Sequence, residues 1–222
     1  MKKTIQILAA LFVTMVIQAQ EKRNPGHFTG LNVTGSLDVT LIKGAEGVTV
    51  SASKEVTDHL KTAVKNDILY IYMEGKYKAK GEVHIEVSFN TMRQIILNGS
   101  GDIVTKDHID TPNLQVELVG SGDITINVRA ENVKASLNGS GDLKLEGKAS
   151  NFEADLIGSG DLEAIRLESE NVKVNVSGSG DASVYASKAI MARVEGSGDI
   201  KYGGNPAAED TKVSGSGSIE KK

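Results

Sequence analysis

Six aspartates recur inside one tetrapeptide. Gly-Ser-Gly-Asp begins at Gly99, Gly120, Gly139, Gly158, Gly178 and Gly196, with its second glycine at Gly101, Gly122, Gly141, Gly160, Gly180 and Gly198. Asp102, Asp123, Asp142, Asp161, Asp181 and Asp199 therefore occupy equivalent positions. If equivalent residues stack about 5 Å apart, each carboxylate repels its neighbour by about 0.8 kcal/mol in water. Such a column needs hydrogen-bond donors, full hydration or a cation. Two chemistries follow: a corner-forming Asp that accepts from nearby backbone N–H groups, or a calcium column. Calcium-binding nonapeptide solenoids repeat every nine residues, whereas here one Asp follows glycine once in about twenty, which favours the corner.

Other reactive side chains do not converge in sequence. His27, His59, His84 and His108 have no spacing suited to a metal site or a catalytic triad. Lys76-Tyr77-Lys78-Ala79-Lys80 is a compact basic and aromatic cluster, able to meet an acidic glycan or a lipid headgroup, or simply to be a solvated hairpin loop. Tyr70 and Tyr72 stand just before it on one alternation. The sequence assigns no catalytic residue, no metal ligand and no cofactor.

The elements that position these groups follow from the repeat. Gly-Ser-Gly-Ser at Gly215 adds a seventh copy. Successive copies start 21, 19, 19, 20, 18 and 19 positions apart. Two residues before each first glycine stand Leu97, Leu118, Leu137, Leu156, Val176, Val194 and Val213. Four after it stand Ile103, Ile124, Leu143, Leu162, Ala182, Ile200 and Ile219, and six after it Thr105, Ile126, Leu145, Ala164, Val184 and Tyr202. Alternation of apolar and polar residues is strand periodicity, so each repeat is two short strands meeting at Gly-Ser-Gly-Asp. Asn113, Asn132, Asn151 and Asn171 mark a second corner, where stacked amides can form a ladder. A propeller blade needs about 40 residues and a helical repeat needs a 3.6 period. The pattern predicts an all-β solenoid with one coil per repeat over residues 91–222. Glycine at the corner supplies a positive φ.

Residues 20–90 are less regular and are expected to form first coils and an N-terminal cap of the same domain. Val48-Thr49-Val50, Ile68 to Tyr72 and Val83 to Val87 read as strands. Val56, Leu60, Ala63 and Val64 share a helical face behind Ser53, predicting a helix over 54–64. Asn66-Asp67 turns into the next strand. Gly35-Ser36-Leu37-Asp38 resembles a decayed corner, 64 positions before Gly99.

Residues 1–19 have the form of a secretory leader: Lys2 and Lys3, an apolar stretch from Ile5 to Ile17, and a cut between Ala19 and Gln20. The stretch is shorter than the ~20 residues of a spanning helix. Cleavage takes the formal charge from -4 to -6 by removing Lys2 and Lys3. The acidic balance argues against nucleic acid as a partner. The absence of cysteine among 222 residues removes disulfides, thiol catalysis and zinc-thiolate sites.

This layout of leader, strand–helix–strand opening and serial Gly-Ser-Gly-Asp coils resembles the putative auto-transporter adhesin, head GIN domain family. The resemblance implies a right-handed parallel β-helix, exported to the periplasm, outer surface or medium of a Gram-negative bacterium, with no established enzymatic activity. The expected function is that of a non-enzymatic envelope binding module whose partner is a glycan or an envelope protein. A carbohydrate-active β-helix enzyme and a purely structural envelope component are the alternatives. Lyase and hydrolase sites need long loops between coils, and no coil here is longer than the one from Gly99 to Gly120. The coil faces carry small polar groups and one ring expected to be exposed, Tyr185. Recognition is therefore expected at Tyr70, Tyr72, Lys76, Tyr77, Lys78 and Lys80, with the coils as a stiff spacer.

Overall fold

Apolar alternation along this chain is satisfied by stacking strands in parallel, coil upon coil. The structure is a computed structural model and describes residues 19–76 and 83–222. The opening section runs β1 (Ala19–Arg23), β2 (Gly30–Gly35), β3 (Val39–Lys43), β4 (Gly47–Ala52), α1 (Lys54–His59), β5 (Leu60–Lys65), β6 (Ile68–Met73) and β7 (His84–Phe89). The coils follow as β8 (Gln94–Gly99), β9 (Ile103–Thr105), β10 (Ile109–Gly120), β11 (Ile124–Gly139), β12 (Leu143–Gly158), β13 (Leu162–Gly178) and β14 (Ala182–Gly196). The last turns are β15 (Ile200–Gly203), β16 (Ala208–Gly215) and β17 (Ile219–Lys221). The fold is a β-solenoid.

Every coil-to-coil pairing from β8 onward is parallel and keeps glycine on glycine: Gly99, Gly120, Gly139, Gly158, Gly178, Gly196 and Gly215 lie in one register. The expected columns are inside. Leu97, Leu118, Leu137, Leu156, Val176 and Val194 are all at most 3% exposed. Two of the expected inward positions lie in the last coil and are not buried there: Val213 is exposed and Ile219 half-buried. Thr105 is half-buried, and its hydroxyl accepts from the Asn127 N–H at 3.0 Å. Register shifts fall at Lys144/Glu146 and between Ala164 and Asn171, beyond the corner tetrad and ahead of the asparagine corner. The amides of Asn132, Asn151 and Asn171 each donate to the asparagine one coil earlier, at 2.9, 2.9 and 3.0 Å. Ala189 replaces the next asparagine and ends the ladder.

The order of the first coils differs from the order of the chain. β2 pairs in parallel with both β6 and β8, and β3 with both β7 and β9. The coil that comes first in sequence is thus second in space, between the β6–β7 level and the β8–β9 level. Antiparallel strands finish the N-terminal end: β5 on β6, and β4 on β7 with β1 beyond it. The helix expected over 54–64 is half that length, because residues 60–65 form β5. Asn66 and Asp67 both have positive φ, 51° and 59°, the geometry of a two-residue hairpin turn. That turn commits Leu60–Lys65 to pair with β6 rather than to extend the helix. Ser53 is the N-cap by position, but its hydroxyl makes no capping bond; the Thr57 N–H donates to the Ser53 carbonyl at 3.0 Å.

Candidate functional site

Two surfaces carry chemistry: the corner column and the outward face of β6. At each corner from Gly99 to Gly196 the carbonyl of the first glycine accepts two N–H groups from the next coil. Gly120, for example, accepts from Ser140 at 2.9 Å and Gly141 at 3.2 Å. The Asp carbonyl accepts from the residue after the Asp of the coil before, as Asp142 does from Ile124 at 2.9 Å. Each Asp carboxylate accepts the N–H of the next Asp in the column. Asp38, Asp102, Asp123, Asp142, Asp161 and Asp181 do so in turn, and Asp199 accepts from Ser218, all between 2.7 and 3.1 Å. The donors come from the neighbouring coil rather than from the local turn. The repulsion of stacked carboxylates is offset by a backbone donor for each.

The two glycines of the corner are required for different reasons. Gly139 has φ +143°, a region L residues rarely adopt, and a Cβ there would also strike the Gly120 carbonyl. Gly141 needs no such φ; a Cβ on it would strike the Gly122 carbonyl of the previous coil. The column starts at Gly35, which pairs with Gly99. A Cβ on Gly35 would meet nothing within 4 Å, and Leu37 stands where later coils need their second glycine.

The carboxylates line a shallow groove of about 430 Å³ with Thr125, Lys144, Glu163 and Lys201. Lys144 pairs with Glu163 at 3.2 Å, and Arg166 with Glu146 at 3.1 Å and Glu163 at 3.3 Å. The Lys144 ammonium, with help from the Arg166 guanidinium, holds the Glu163 carboxyl below the ordinary carboxylate range. Lys144, Arg166, Glu146 and Glu163 are spent on one another. Among the described residues, no group of three or more His, Asp or Glu is arranged to hold a metal ion.

The second surface is built by the hairpin and the coil order. Leu69 and Ile71 are fully buried, so the alternation of β6 turns Tyr70 and Tyr72 outward. Tyr72 is 37% exposed and Tyr70 half-buried. In register, Tyr70 lies beside Asn32, which lies beside Ile96; Tyr72 lies beside Thr34 and then Asn98. On the other side β5 sets Lys61 opposite Tyr72 and Lys65 opposite Ile68. Lys61 bridges to Glu74 at 3.6 Å, and Lys65 and Lys76 are exposed. Tyr77, Lys78 and Lys80 lie outside the described residues. Asn32 and Ile96 were not legible as neighbours of the tyrosines, since only the pairing of β2 with β6 and β8 brings them there, and Lys61 and Lys65 only once residues 60–65 are a strand of the β5–β6 hairpin rather than a helix.

Tyr185 is not the free ring expected. It is half-buried beside Ile165, over Gly203 and Gly204, where a Cβ on Gly203 would meet both side chains at 3.0–3.3 Å. The histidines stay apart, on separate parts of the chain: His27 pairs with Glu46 at 2.9 Å, and His108 with Asp110 at 3.4 Å.

The family model described as putative auto-transporter adhesin, head GIN domain, matches residues 27–206. The chain belongs to that family. The head GIN domain thus spans the opening coils, the corner column and both candidate surfaces. Solved structures share its fold. A putative adhesin from Bacteroides fragilis superposes with TM-score 0.86 at 24% identity, over 94% of this chain and 98% of that one. A putative lipid binding protein and a putative adhesin, both from Parabacteroides distasonis, give TM-scores of 0.74 and 0.72 at 21% and 20% identity. They match over 92% of this chain and over 96% and 97% of theirs. No curated protein matches the chain. Among the described residues, no helix is long and apolar enough to cross a membrane.

Proposed function

We propose that this head GIN domain protein is a non-enzymatic adhesion module, exported to a Gram-negative envelope, that grips an acidic glycan through its opening section. The coils serve as a stiff spacer. The observation that carries this reading is the pair of outward tyrosines, Tyr70 and Tyr72, on a face flanked by Lys61 and Lys65, with Lys76 exposed just beyond the strand. Aromatic rings stack on the apolar faces of sugars, and ammonium groups meet carboxylate or sulfate substituents. Tyr77, Lys78 and Lys80 extend the same composition. In the coil groove Lys144 already pairs with Glu163 and lies among the aspartate carboxylates, a setting that disfavours an acidic ligand. Among the described residues, no coil from β8 onward carries the long loop that lyases and hydrolases use to gather an acid and a base, which supports binding without turnover.

One structural relative bears the name putative lipid binding protein. An anionic headgroup offers the same chemistry as an acidic sugar, so the assay carries both. The purified protein is applied to a glycan array and to vesicles containing anionic lipid. Tyr70→Ala/Tyr72→Ala, Tyr77→Ala and Lys78→Glu are compared with a coil variant altered at Lys144 and Lys173. Binding of acidic over neutral glycans, weakened about tenfold or more by the opening-section changes, is expected; the coil variant should bind as the parent does. Loss confined to the coil variant overturns the placement, vesicle binding alone transfers the site to lipid, and glycan cleavage overturns the non-enzymatic reading.

A further inference from the structure

The adhesion reading leaves the first residues of the exported chain unused. The leader cut between Ala19 and Gln20 makes glutamine the first residue and frees its α-amine. In the fold Gln20 sits on β1, the outermost strand beyond β4, opposite Ser51, and Ser51 is opposite His84 on the far side. Its side chain is exposed, at the rim of a shallow groove of about 240 Å³ shared with Thr49, Glu86 and Lys106.

We propose that Gln20 is a modification site and that the mature N-terminus is a pyroglutamyl lactam. The α-amine nitrogen attacks the Cδ of its own side chain, forming the N–Cδ amide bond. The Cδ–Nε2 bond breaks, and Nε2 leaves as ammonia after taking one proton from the attacking amine. Nothing is oxidised or reduced, and no co-reactant is consumed. Nucleophile and carbon belong to one residue and close a five-membered ring, so proximity is built into the chain.

The structure tolerates the product. The ring keeps the main-chain N–H and C=O of residue 20, so the antiparallel ladder with β4 loses neither group. β1 is held by Arg23 rather than by a terminal charge: its guanidinium donates to the Leu60 carbonyl at 2.7 Å, the Thr57 carbonyl at 2.8 Å and Glu21 at 2.8 Å. Ring closure removes a cationic amine from a strand that already carries Lys22 and Arg23, and exchanges a protease-sensitive end for a blocked one.

This inference rests on the export reading, and one experiment separates the two. The full chain is expressed in a Gram-negative host, and the exported protein is examined by intact mass and stepwise N-terminal degradation. Residues 20–222, lighter by one ammonia and refractory to degradation until treated with pyroglutamyl peptidase, are expected on essentially every molecule. Gln20→Ala should give the uncyclised mass and a readable terminus. Residues 20–222 at full mass with Gln20 readable overturn ring closure alone. A retained leader, or a terminus elsewhere, overturns the proposal through the export reading instead.

Discussion

Replacing corner glycines by alanine separates two costs that the repeat motif combines. Gly35 has φ +105° with open space where a Cβ would sit, so Gly35→Ala carries only left-handed strain, about 1–2 kcal/mol. Gly141→Ala carries none of that strain, but its Cβ meets the Gly122 carbonyl. The coils must part there, at about 1–3 kcal/mol for overpacking. Parting also weakens the bonds that Ser140 and Gly141 donate to Gly120, at about 1 kcal/mol each. Its cost is therefore about 3–5 kcal/mol. Gly139→Ala combines strain with collision against the Gly120 carbonyl and should cost about 4–7 kcal/mol, comparable to the whole stability of many domains. Urea unfolding followed by far-UV circular dichroism gives the order. Amide exchange locates the loss, because repeat arrays unfold as coupled neighbours. The expected ranking is Gly35→Ala mildest, Gly141→Ala next and Gly139→Ala worst. If Gly35→Ala proves as damaging as Gly141→Ala, close coil approach is not what selects the second glycine.

Leu137 is 1% exposed, stacked between Leu118 and Leu156, so Leu137→Asp should abolish cooperative melting near the parent temperature, since a buried unpaired charge is costly; a melt within a degree or two of the parent refutes the inward assignment. Chelation of divalent cations should leave the melting temperature unchanged, because each corner carboxylate already accepts a backbone N–H; a large drop would establish a cation that binds the native state. Lys144→Met should raise the Glu163 pKa back toward 4.5 in a carboxyl NMR titration, because the Lys144 hydrogen bond is the largest cause of its lowering. A depressed carboxylate stabilises above its unfolded pKa and loses that contribution as pH falls through the folded value. Acid weakening from this pair therefore lies below pH 4.5, and it is small for so exposed a pair.

How much was legible in the chain depends on how local each signal is. Parallel stacking puts equivalent residues on top of one another, so columns such as Leu118–Leu137–Leu156 and Asp123–Asp142–Asp161 can be read from spacing alone. The donor to each carboxylate could not, because it belongs to the next coil. Leu60, Ala63 and Val64 fit a helical face, yet Leu60, Thr62 and Val64 equally fit an alternating strand. The positive φ of Asn66 and Asp67 decides between them. Tyr185 looked exposed because nothing in the sequence shows that Ile165 and two glycines one coil later meet it. The outward direction of Tyr70 and Tyr72 follows from alternation, but their neighbours Asn32 and Ile96 depend on contacts between distant parts of the chain.

The displaced order of the first coils sets the sequence of assembly. An ordinary coil closes onto its predecessor across 18 to 21 positions, whereas Gly35 must find Gly99 across 64. The longer closure costs about 1 kcal/mol more in chain entropy, and β2 gains its full set of partners only when β6 and β8 flank it together. A chain made N-terminus first therefore leaves Val33 and Leu41 with strand partners on one side only, Ile71 and Val87, until the residues around Gly99 follow. Repeats can nucleate and lengthen on their own, so the opening coil is expected to complete its pairing last, once β8 and β9 are in place beside β2 and β3.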